Sequence, residues 1–229
     1  MKDRFTKIAK NYGDLFDEVF QFMGFDYEKL EESVFKGVAE NDPDFVNKTI
    51  LDIGVGDGET TARFIEAGCG RITGIDLNPT MLSASRKRFG EKIKLIQEDA
   101  TNLENFKPED FSIIISGATI HNISKEERKK LWTGLLKLKP DLIVIMDKIA
   151  DKDSIKHKKS YDNELEAINA IYQDKYGLKE EADAWVEHYK QDEKERLELE
   201  EIINNLEEIY SIKVVFEMGM NKAVVCRRK

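Results

Sequence analysis

Several features that would place the chain in a membrane, at a metal or outside the cell are missing from the sequence. No apolar run approaches the ~20 residues of a membrane-spanning helix, and the first seven residues lack the apolar core of a signal peptide. Neither the two cysteines, Cys69 and Cys226, nor the three scattered histidines have the spacing of a metal-ligand motif. We therefore expect reduced thiols, no metal ion and a cytoplasmic protein without membrane contact.

The sequence also has a shortage of positive charge. Its 36 Lys and Arg residues against 45 Asp and Glu residues give a formal net charge of −9. Binding nucleic acid phosphates requires a basic surface, and the sequence offers only short basic clusters at 156–159 and 227–229. We therefore expect no nucleic acid partner. The 229 residues, of which 41% are hydrophobic, are sufficient for one well-buried domain.

The most informative stretch is a predicted strand followed by a glycine-rich turn and a helix. Thr49–Ile53 forms the strand, Gly54, Gly56 and Gly58 form the turn, and the helix runs over Glu59–Ala67. Glycines allow unusual backbone angles and let a ligand approach the main chain, and a helix N-terminus favours negative ligand atoms. Such a turn fits a nucleotide cradle, but it fits a simple tight connection as well.

After this stretch, strands and helices alternate regularly. The near-continuous apolar character of the strands predicts a parallel sheet that is covered on both faces. The predicted strands are Thr49–Ile53, Arg71–Asp76, Ile93–Glu98, Phe111–Ser116 and Leu142–Asp147, and the helices between them include Pro79–Phe89 and one that begins at the capping box Ser124–Glu127.

Segments on both sides of this alternation are predicted to be additions to a minimal sheet. Two helices, Arg4–Phe22 and Tyr27–Glu40, come first and either cover a sheet edge or close over a ligand. From Ile155 to about Tyr210 the pattern predicts three helices and no strand. Ile212–Met218 and Lys222–Cys226 then form a hairpin, which predicts an antiparallel pair at the sheet edge.

Two motifs distinguish the possible ligands. The turn has the form D-x-G-x-G-x-G from Asp52 to Gly58, whereas a dinucleotide fingerprint would need its third glycine at Glu59. The second strand ends at Asp76, where a carboxylate can accept hydrogen bonds from both ribose hydroxyls. The segment that follows reads Ile-Asp-Leu-Asn-Pro-Thr-Met-Leu, from Ile75 to Leu82.

The two motifs together resemble motifs I and II of the class I S-adenosylmethionine (SAM)-dependent methyltransferases, small-molecule type, in the methyltransferase domain 25 or UbiE-like group. The resemblance is close over roughly Thr49–Asp147. It implies SAM as the cofactor and S-adenosylhomocysteine (SAH) as the product. One departure is Lys139-Pro140-Asp141, where the family usually has a Gly-Gly turn.

The resemblance also implies roles for individual residues. Asp52 and Gly54 would neighbour the methionyl amino group, Gly56 would give backbone approach with Val55 beside it in the cofactor site, and Asp76 would bind the ribose. The remaining members of the predicted cofactor site are Leu77 against the adenine, Asp99 and Ala100 at the adenine amino group and ring edge, Ser116 under the methionine part, and Tyr12 from the first helix.

His121 is the strongest candidate for a general base, since it follows the fourth strand and faces the predicted pocket. Methyl transfer itself depends mainly on orientation, so a base is needed only if the acceptor must lose a proton. The alternative is that His121 only shapes the site. Weaker candidates are Asp147, His157, Tyr161 and His188.

The sequence therefore predicts a Rossmann-like, doubly wound, seven-stranded and mostly parallel sheet with an antiparallel C-terminal hairpin. One domain spans residues 1–229, with a helical cap at 1–42 and a helical lid insertion at 148–210. We expect a methyltransferase for a small-molecule acceptor, with a homodimer as a candidate assembly. The alternatives are a carboxy-SAM synthase-like enzyme, a non-catalytic SAM-binding protein with acidic helices as a docking surface and, less favoured, an NAD-dependent oxidoreductase.

Overall fold

The computed structural model describes the backbone of residues 12–229 and the side chains from Leu15 onward. The first part of the predicted helix Arg4–Phe22 lies outside these residues. Tyr12 begins the first described helix, but its side chain lies outside the described part, so its contact with a cofactor stays a prediction.

Helices and strands alternate through the middle of the described chain as predicted. The helices are α1 Tyr12–Phe22, α2 Tyr27–Ala39, α3 Glu59–Glu66, α4 Pro79–Phe89, α5 Lys125–Leu138, α6 Ser154–Ile168, α7 Lys179–Lys194 and α8 Leu199–Leu206. The strands are β1 Ile50–Ile53, β2 Ile72–Asp76, β3 Lys94–Gln97, β4 Ile113–Gly117, β5 Leu142–Ala150, β6 Leu197–Glu198, β7 Tyr210–Met218 and β8 Asn221–Arg228. Short 3₁₀ helices cover Phe45–Asn47 and Ile120–Asn122, and a π-helix, Asn169–Lys175, continues α6.

The sheet has the order β3-β2-β1-β4-β5-β8-β7. Strands β1 to β5 are parallel, and β8 joins β5 in the antiparallel sense, with Val144 opposite Val225. The predicted seven-stranded Rossmann-like sheet with an antiparallel hairpin is confirmed. Strand order reverses between β1 and β4, and ligands of open α/β sheets bind beyond the carboxyl ends of the strands at such a point.

Alternate residues of the central strands enter two separate cores. Ile50 and Val144 face the core that contains α1, α2, α6 and α7. Leu51 and Ile143 face the other core, which contains α5 and α8. All four are essentially fully buried. The predicted apolar strands are therefore covered on both faces.

The segment after β5 differs from the prediction in two ways. Strand β5 runs past Asp147 to Ala150, and the short strand β6 pairs with it in parallel, with Ile149 opposite Leu197. The expectation of no strand between Ile155 and Tyr210 was therefore wrong. A two-residue strand has no period of its own in the sequence, because it is stabilised by a partner from a distant segment.

The N-terminal helices pack against the segment that follows β5. The Phe16 ring of α1 lies 4.7 Å from the Trp185 ring of α7, measured between centroids. Glu18 accepts hydrogen bonds of 2.6 Å from both Lys175 and the Tyr176 hydroxyl. The two additions to the sheet therefore contact each other. No helix within residues 12–229 is both long and apolar enough to cross a bilayer.

Candidate active site

A cavity of about 810 Å³ opens at the carboxyl ends of the parallel strands. The glycine-rich turn after β1, the segments after β2, β3 and β4, and side chains of α1, α2 and α7 form its walls. Of the predicted cofactor residues, the walls include Gly54, Val55, Gly56, Asp76, Leu77, Asp99 and Ala100.

The glycine-rich turn owes its shape to two glycines with different functions. Gly56 has φ +56°, and the nearest atom to a Cβ built on it is 3.9 Å away, so its backbone faces open space in the cavity wall. Gly58 has φ +92°, and a Cβ there would overlap the Phe89 ring of α4. The first therefore permits close approach to the main chain, and the second permits α3 and α4 to pack together.

Asp76 organises the turn and also faces the cavity. Its Oδ2 accepts the Gly56 N–H at 3.0 Å, and its Oδ1 accepts the Asn78 N–H at 2.7 Å. Burial raises the pKa of Asp76, and these backbone donors oppose that shift. Because a carboxylate offers about four lone-pair sites, two remain for hydroxyl groups of a ligand. The carboxylate can thus fix the loop and bind a ribose at the same time.

The next two strand ends form the adjoining wall. Leu77 is 37% exposed, which is unusual for a leucine within a folded site and leaves an apolar surface against the cavity. Asp99 Oδ1 accepts the N–H and the hydroxyl of Thr101 at 2.8 and 2.7 Å. Asp99 therefore closes a local turn and also lines the cavity, beside Ala100.

Two predicted cofactor residues, Asp52 and Ser116, lie behind the wall. Asp52 is 1% exposed, and its Oδ2 accepts the Thr61 hydroxyl at 2.5 Å. Burial raises the pKa of Asp52 to about 7, although the Thr61 bond opposes the shift. The Ser116 hydroxyl donates to the Ile53 carbonyl at 3.1 Å. In this structure both residues brace the strand ends that carry the glycine-rich turn, and their predicted contacts with the cofactor remain predictions.

His121, the predicted base, is 5% exposed and lies behind the cavity wall, in the 3₁₀ helix after β4. Its Nδ1 bonds the Asp147 carboxylate, which also accepts the backbone N–H groups of Ile120 and Lys148 at 2.6 and 2.8 Å. A carboxylate partner assigns the proton to Nδ1, so Nε2 has the free lone pair. Nε2 points toward Asp192 Oδ2, at 3.9 Å.

His188 is the imidazole that lies on the cavity wall, and sequence reasoning ranked it below His121. Its ring centroid is 6.1 Å from that of His121, and its Nε2 is 3.4 Å from Asp192 Oδ2. Lys148 Nζ donates to the same oxygen at 3.1 Å. Although burial alone raises the pKa of Asp192, the opposing charge of Lys148 is the main cause that holds it below its usual value. The fold thus places two of the three histidines of the chain at one carboxylate.

The remaining wall contains acidic groups that the motifs did not indicate. Asp17, Glu31, Asp57 and Glu59 come from α1, α2 and the glycine-rich turn. Burial and the Glu59 carboxylate raise the pKa of Glu31 to about 7. Within the described residues, the lining includes no lysine or arginine. Helices α1 and α2 precede the motifs, and their amphipathic pattern gave no indication of which polar residues would face a ligand.

Known proteins share this architecture and part of this sequence. A family described as "Methyltransferase domain" matches residues 50–140, which include the glycine-rich turn and the acidic strand ends. The structure is similar to magnesium protoporphyrin IX methyltransferase from Synechocystis PCC 6803 with bound SAH. The TM-score is 0.66 at 13% identity, over 100% of this chain and 98% of that one.

Two curated proteins match shorter segments. An uncharacterized methyltransferase of Schizosaccharomyces pombe is 26% identical over 102 residues, which are 44% of this chain and 37% of that protein. The ribosomal RNA small subunit methyltransferase H of Gemmatimonas aurantiaca is 49% identical over 43 residues, 19% of this chain and 13% of that protein. The chain therefore spans well under two thirds of both relatives. Residues 50–140 match a methyltransferase domain family, and the chain as a whole has the fold of magnesium protoporphyrin IX methyltransferase.

Proposed function

We propose that the chain is a SAM-dependent methyltransferase that acts on a small-molecule acceptor. The observation that supports this best is the convergence of three strand ends on one cavity. The glycine-rich turn, Asp76, Leu77 and Asp99–Ala100 come from three separate motifs and line the same wall. When bound, SAM supplies a methyl group that its sulfonium already activates.

The residues of the wall fit the parts of SAM. Asp76 has lone pairs left for the ribose hydroxyls, and the exposed face of Leu77 fits the adenine ring. Asp99 and Ala100 provide an acceptor and a backbone N–H for the adenine edge, and Gly56 provides close backbone approach. Gly54 and Val55 complete the turn. Asp52 and Ser116 would act from behind it, by holding the turn in place.

The cavity also accounts for the proposed class of acceptor. Its volume of about 810 Å³ lies in the upper part of the ~300–1,000 Å³ range of small-ligand pockets, which leaves room for a second small molecule. Its described lining includes carboxylates and no lysine or arginine. A nucleic acid acceptor would need cations for its phosphates. The acidic lining therefore supports a small acceptor that is neutral or positively charged.

The additions to the sheet are proposed to cover this acceptor. The described part of residues 1–42 and the segment 148–210 contribute Asp17, Glu31 and His188 to the cavity, whereas the cavity residues assigned to SAM lie at the strand ends of the sheet. The contact between Phe16 and Trp185 joins the two additions into one cover. Excluding water and orienting the acceptor are the main demands of methyl transfer.

Two other functions remain as candidates. A carboxy-SAM synthase-like enzyme would need a cationic side chain for the added carboxylate, and the described lining offers no lysine or arginine. A non-catalytic SAM-binding protein would show binding without turnover on any acceptor. Mass spectrometry of the nucleoside that co-purifies with the protein separates the first from methyl transfer, and a screen of amine and hydroxyl acceptors for SAH release tests the second.

Asp76→Ala tests the cofactor site directly. Loss of a carboxylate that accepts two ribose hydrogen bonds should weaken SAM binding ~10–100-fold, which corresponds to ~1.5–3 kcal/mol. Titration calorimetry measures the effect, and Asp183→Asn on the exposed surface of α7 is the control. If Asp76→Ala keeps wild-type SAM affinity at unchanged thermal stability, the proposed site is wrong.

A further inference from the structure

The side chains of His121, His188 and Asp192 converge on one point, and none of the three is assigned to the cofactor. One ligand atom of each lies within 4.8 Å of the others. His188 and Asp192 are four residues apart on α7, so they share one face of that helix, and His121 approaches from the end of β4. His121 and His188 are each 5% exposed.

We propose that His121, His188 and Asp192 bind a divalent transition-metal ion of the Zn²⁺ type. Two imidazoles and a carboxylate are a donor set for such metals, whereas Mg²⁺ prefers oxygen ligands. A tetrahedral ion with bonds of ~2.0–2.1 Å holds its ligand atoms about 3.4 Å apart. Asp192 Oδ2 is 3.4 Å from His188 Nε2 and 3.9 Å from His121 Nε2.

The surroundings of the three side chains support this assignment. Asp147 accepts the Nδ1 proton of His121, which leaves Nε2 free to bind a metal, and a carboxylate behind a ligand histidine is the usual support in metal sites. The carboxylate is itself held by the backbone N–H groups of Ile120 and Lys148. The His121 ring is therefore fixed before any ion binds.

The charges of the region also leave room for a cation. Lys148, which lies 3.6 Å from the Tyr189 ring centroid, donates to Asp192, and the carboxylates of Asp147 and Glu164 are also buried nearby. Lys148 Nζ is 3.1 Å from the same Asp192 oxygen that faces both histidines. Lys148 therefore competes with an ion for that oxygen. This competition gives the proposal a specific signature, because removal of the lysine charge should strengthen metal binding.

Such an ion would adjoin the acceptor space, since His188 lies on the cavity wall. That consequence rests on the proposed function, but binding of the ion does not. A metal on His121 Nε2 would also occupy the lone pair that a general base needs, so the two roles of His121 exclude each other. The metal can be tested without SAM and without an acceptor, and failure to bind it would leave the methyltransferase proposal intact.

The experiment uses tag-free full-length protein that has been treated with a chelator and dialysed. Titration with Zn²⁺ should show one tight site per chain, and Co²⁺ should give d–d absorption bands of a nitrogen- and oxygen-bound ion. His188→Gln, Asp192→Asn and His121→Gln should each weaken Zn²⁺ binding at least tenfold, and Asp147→Asn should weaken it ~10–100-fold. Lys148→Met should strengthen it. Mg²⁺ serves as the probe that should not bind.

His157→Gln is the matched control. His157 is also buried and also bonds a carboxylate, with Nε2 2.8 Å from Glu193 Oε2, but it is not one of the three proposed ligands. Its substitution should leave Zn²⁺ stoichiometry and affinity unchanged. Circular dichroism checks that each variant folds, and the Co²⁺ spectrum of the wild type does not depend on any variant. The proposal is overturned if neither wild type nor Lys148→Met binds Zn²⁺ stoichiometrically, or if His188→Gln and Asp192→Asn bind it normally.

Discussion

The buried carboxylate of Asp52 should make the stability of the fold depend on pH. Asp52 is 1% exposed in the middle of β1, and Thr61 donates to its Oδ2. Its other oxygen, Oδ1, has no hydrogen-bond partner among the described residues. Burial raises the pKa of Asp52 from the ordinary 3.8 to about 7. Between these values the folded protein holds a proton that the unfolded chain has released.

The sign of the effect follows from this proton. A raised carboxyl pKa means that the folded state is favoured at low pH, and that this advantage is lost as pH rises from about 4 to about 7. Each pH unit in that interval lowers the free energy of unfolding by about 1.4 kcal/mol. Asp52→Asn removes the ionisation but keeps a group that can accept from Thr61. The free energy of unfolding of Asp52→Asn, relative to wild type, should therefore rise by about 3 kcal/mol between about pH 4.5 and about pH 8.

Urea unfolding of both proteins at a series of pH values measures this difference without SAM. Taking the difference cancels the titration of all groups that the two proteins share. Asp183→Asn, on the exposed surface of α7, is the control and should give a difference that does not vary with pH. If the difference between Asp52→Asn and wild type also does not vary with pH, Asp52 is ionised in the folded protein at neutral pH. The reasoning from its burial is then refuted.

Two further predictions concern stability and catalysis. Arg128 is fully buried and donates to Glu201 at 2.8 and 2.9 Å. Arg128→Ala should lower the free energy of unfolding by ~3–5 kcal/mol because it removes the buried cationic partner of that carboxylate. In the same urea assay Lys129→Ala, which removes an exposed ion pair with Glu126 at 2.7 Å, should lower the free energy of unfolding far less. Equal losses for the two variants would contradict this. If His121 is a general base, His121→Gln in metal-free enzyme should reduce turnover far more than SAM affinity and remove one limb of the pH–rate profile. Wild-type turnover would exclude that role.

The parts of the fold that the sequence predicted are those with local signals. Near-continuous apolar strands and the glycines at 54, 56 and 58 are encoded within a few residues, so the sheet and the turn were predictable. Strand β6 was not, because Leu197 and Glu198 form a strand only through their contact with β5. Pairing between distant segments has no local period to detect.

The candidate site shows the same division. Asp76, Leu77 and Asp99 belong to motifs at strand ends, and the fold brings them to one cavity as predicted from topology. The convergence of His121, His188 and Asp192 was not predictable, since His121 and α7 meet only after the segment following β5 folds back. The sequence instead indicated scattered histidines and no metal. Burial of Asp52 and Ser116 behind the wall depends on side-chain direction, which the motif alone does not specify.

The pairing of β6 with β5 has a consequence for how this architecture can change. Ile149 and Leu197 are both fully buried and lie opposite each other on the paired strands β5 and β6. The chain therefore leaves the sheet at the end of β5 and returns to it beside the same strand. The entropy of closing such a loop grows only with the logarithm of its length, by ~0.6 kcal/mol per doubling. The closure term therefore changes little when the segment between these two anchors changes in length, but a replacement has to supply apolar side chains for the core that Ala167, Ile168 and Trp185 fill. This segment is therefore the part to exchange as a unit when a scaffold of this kind is re-engineered for a different acceptor.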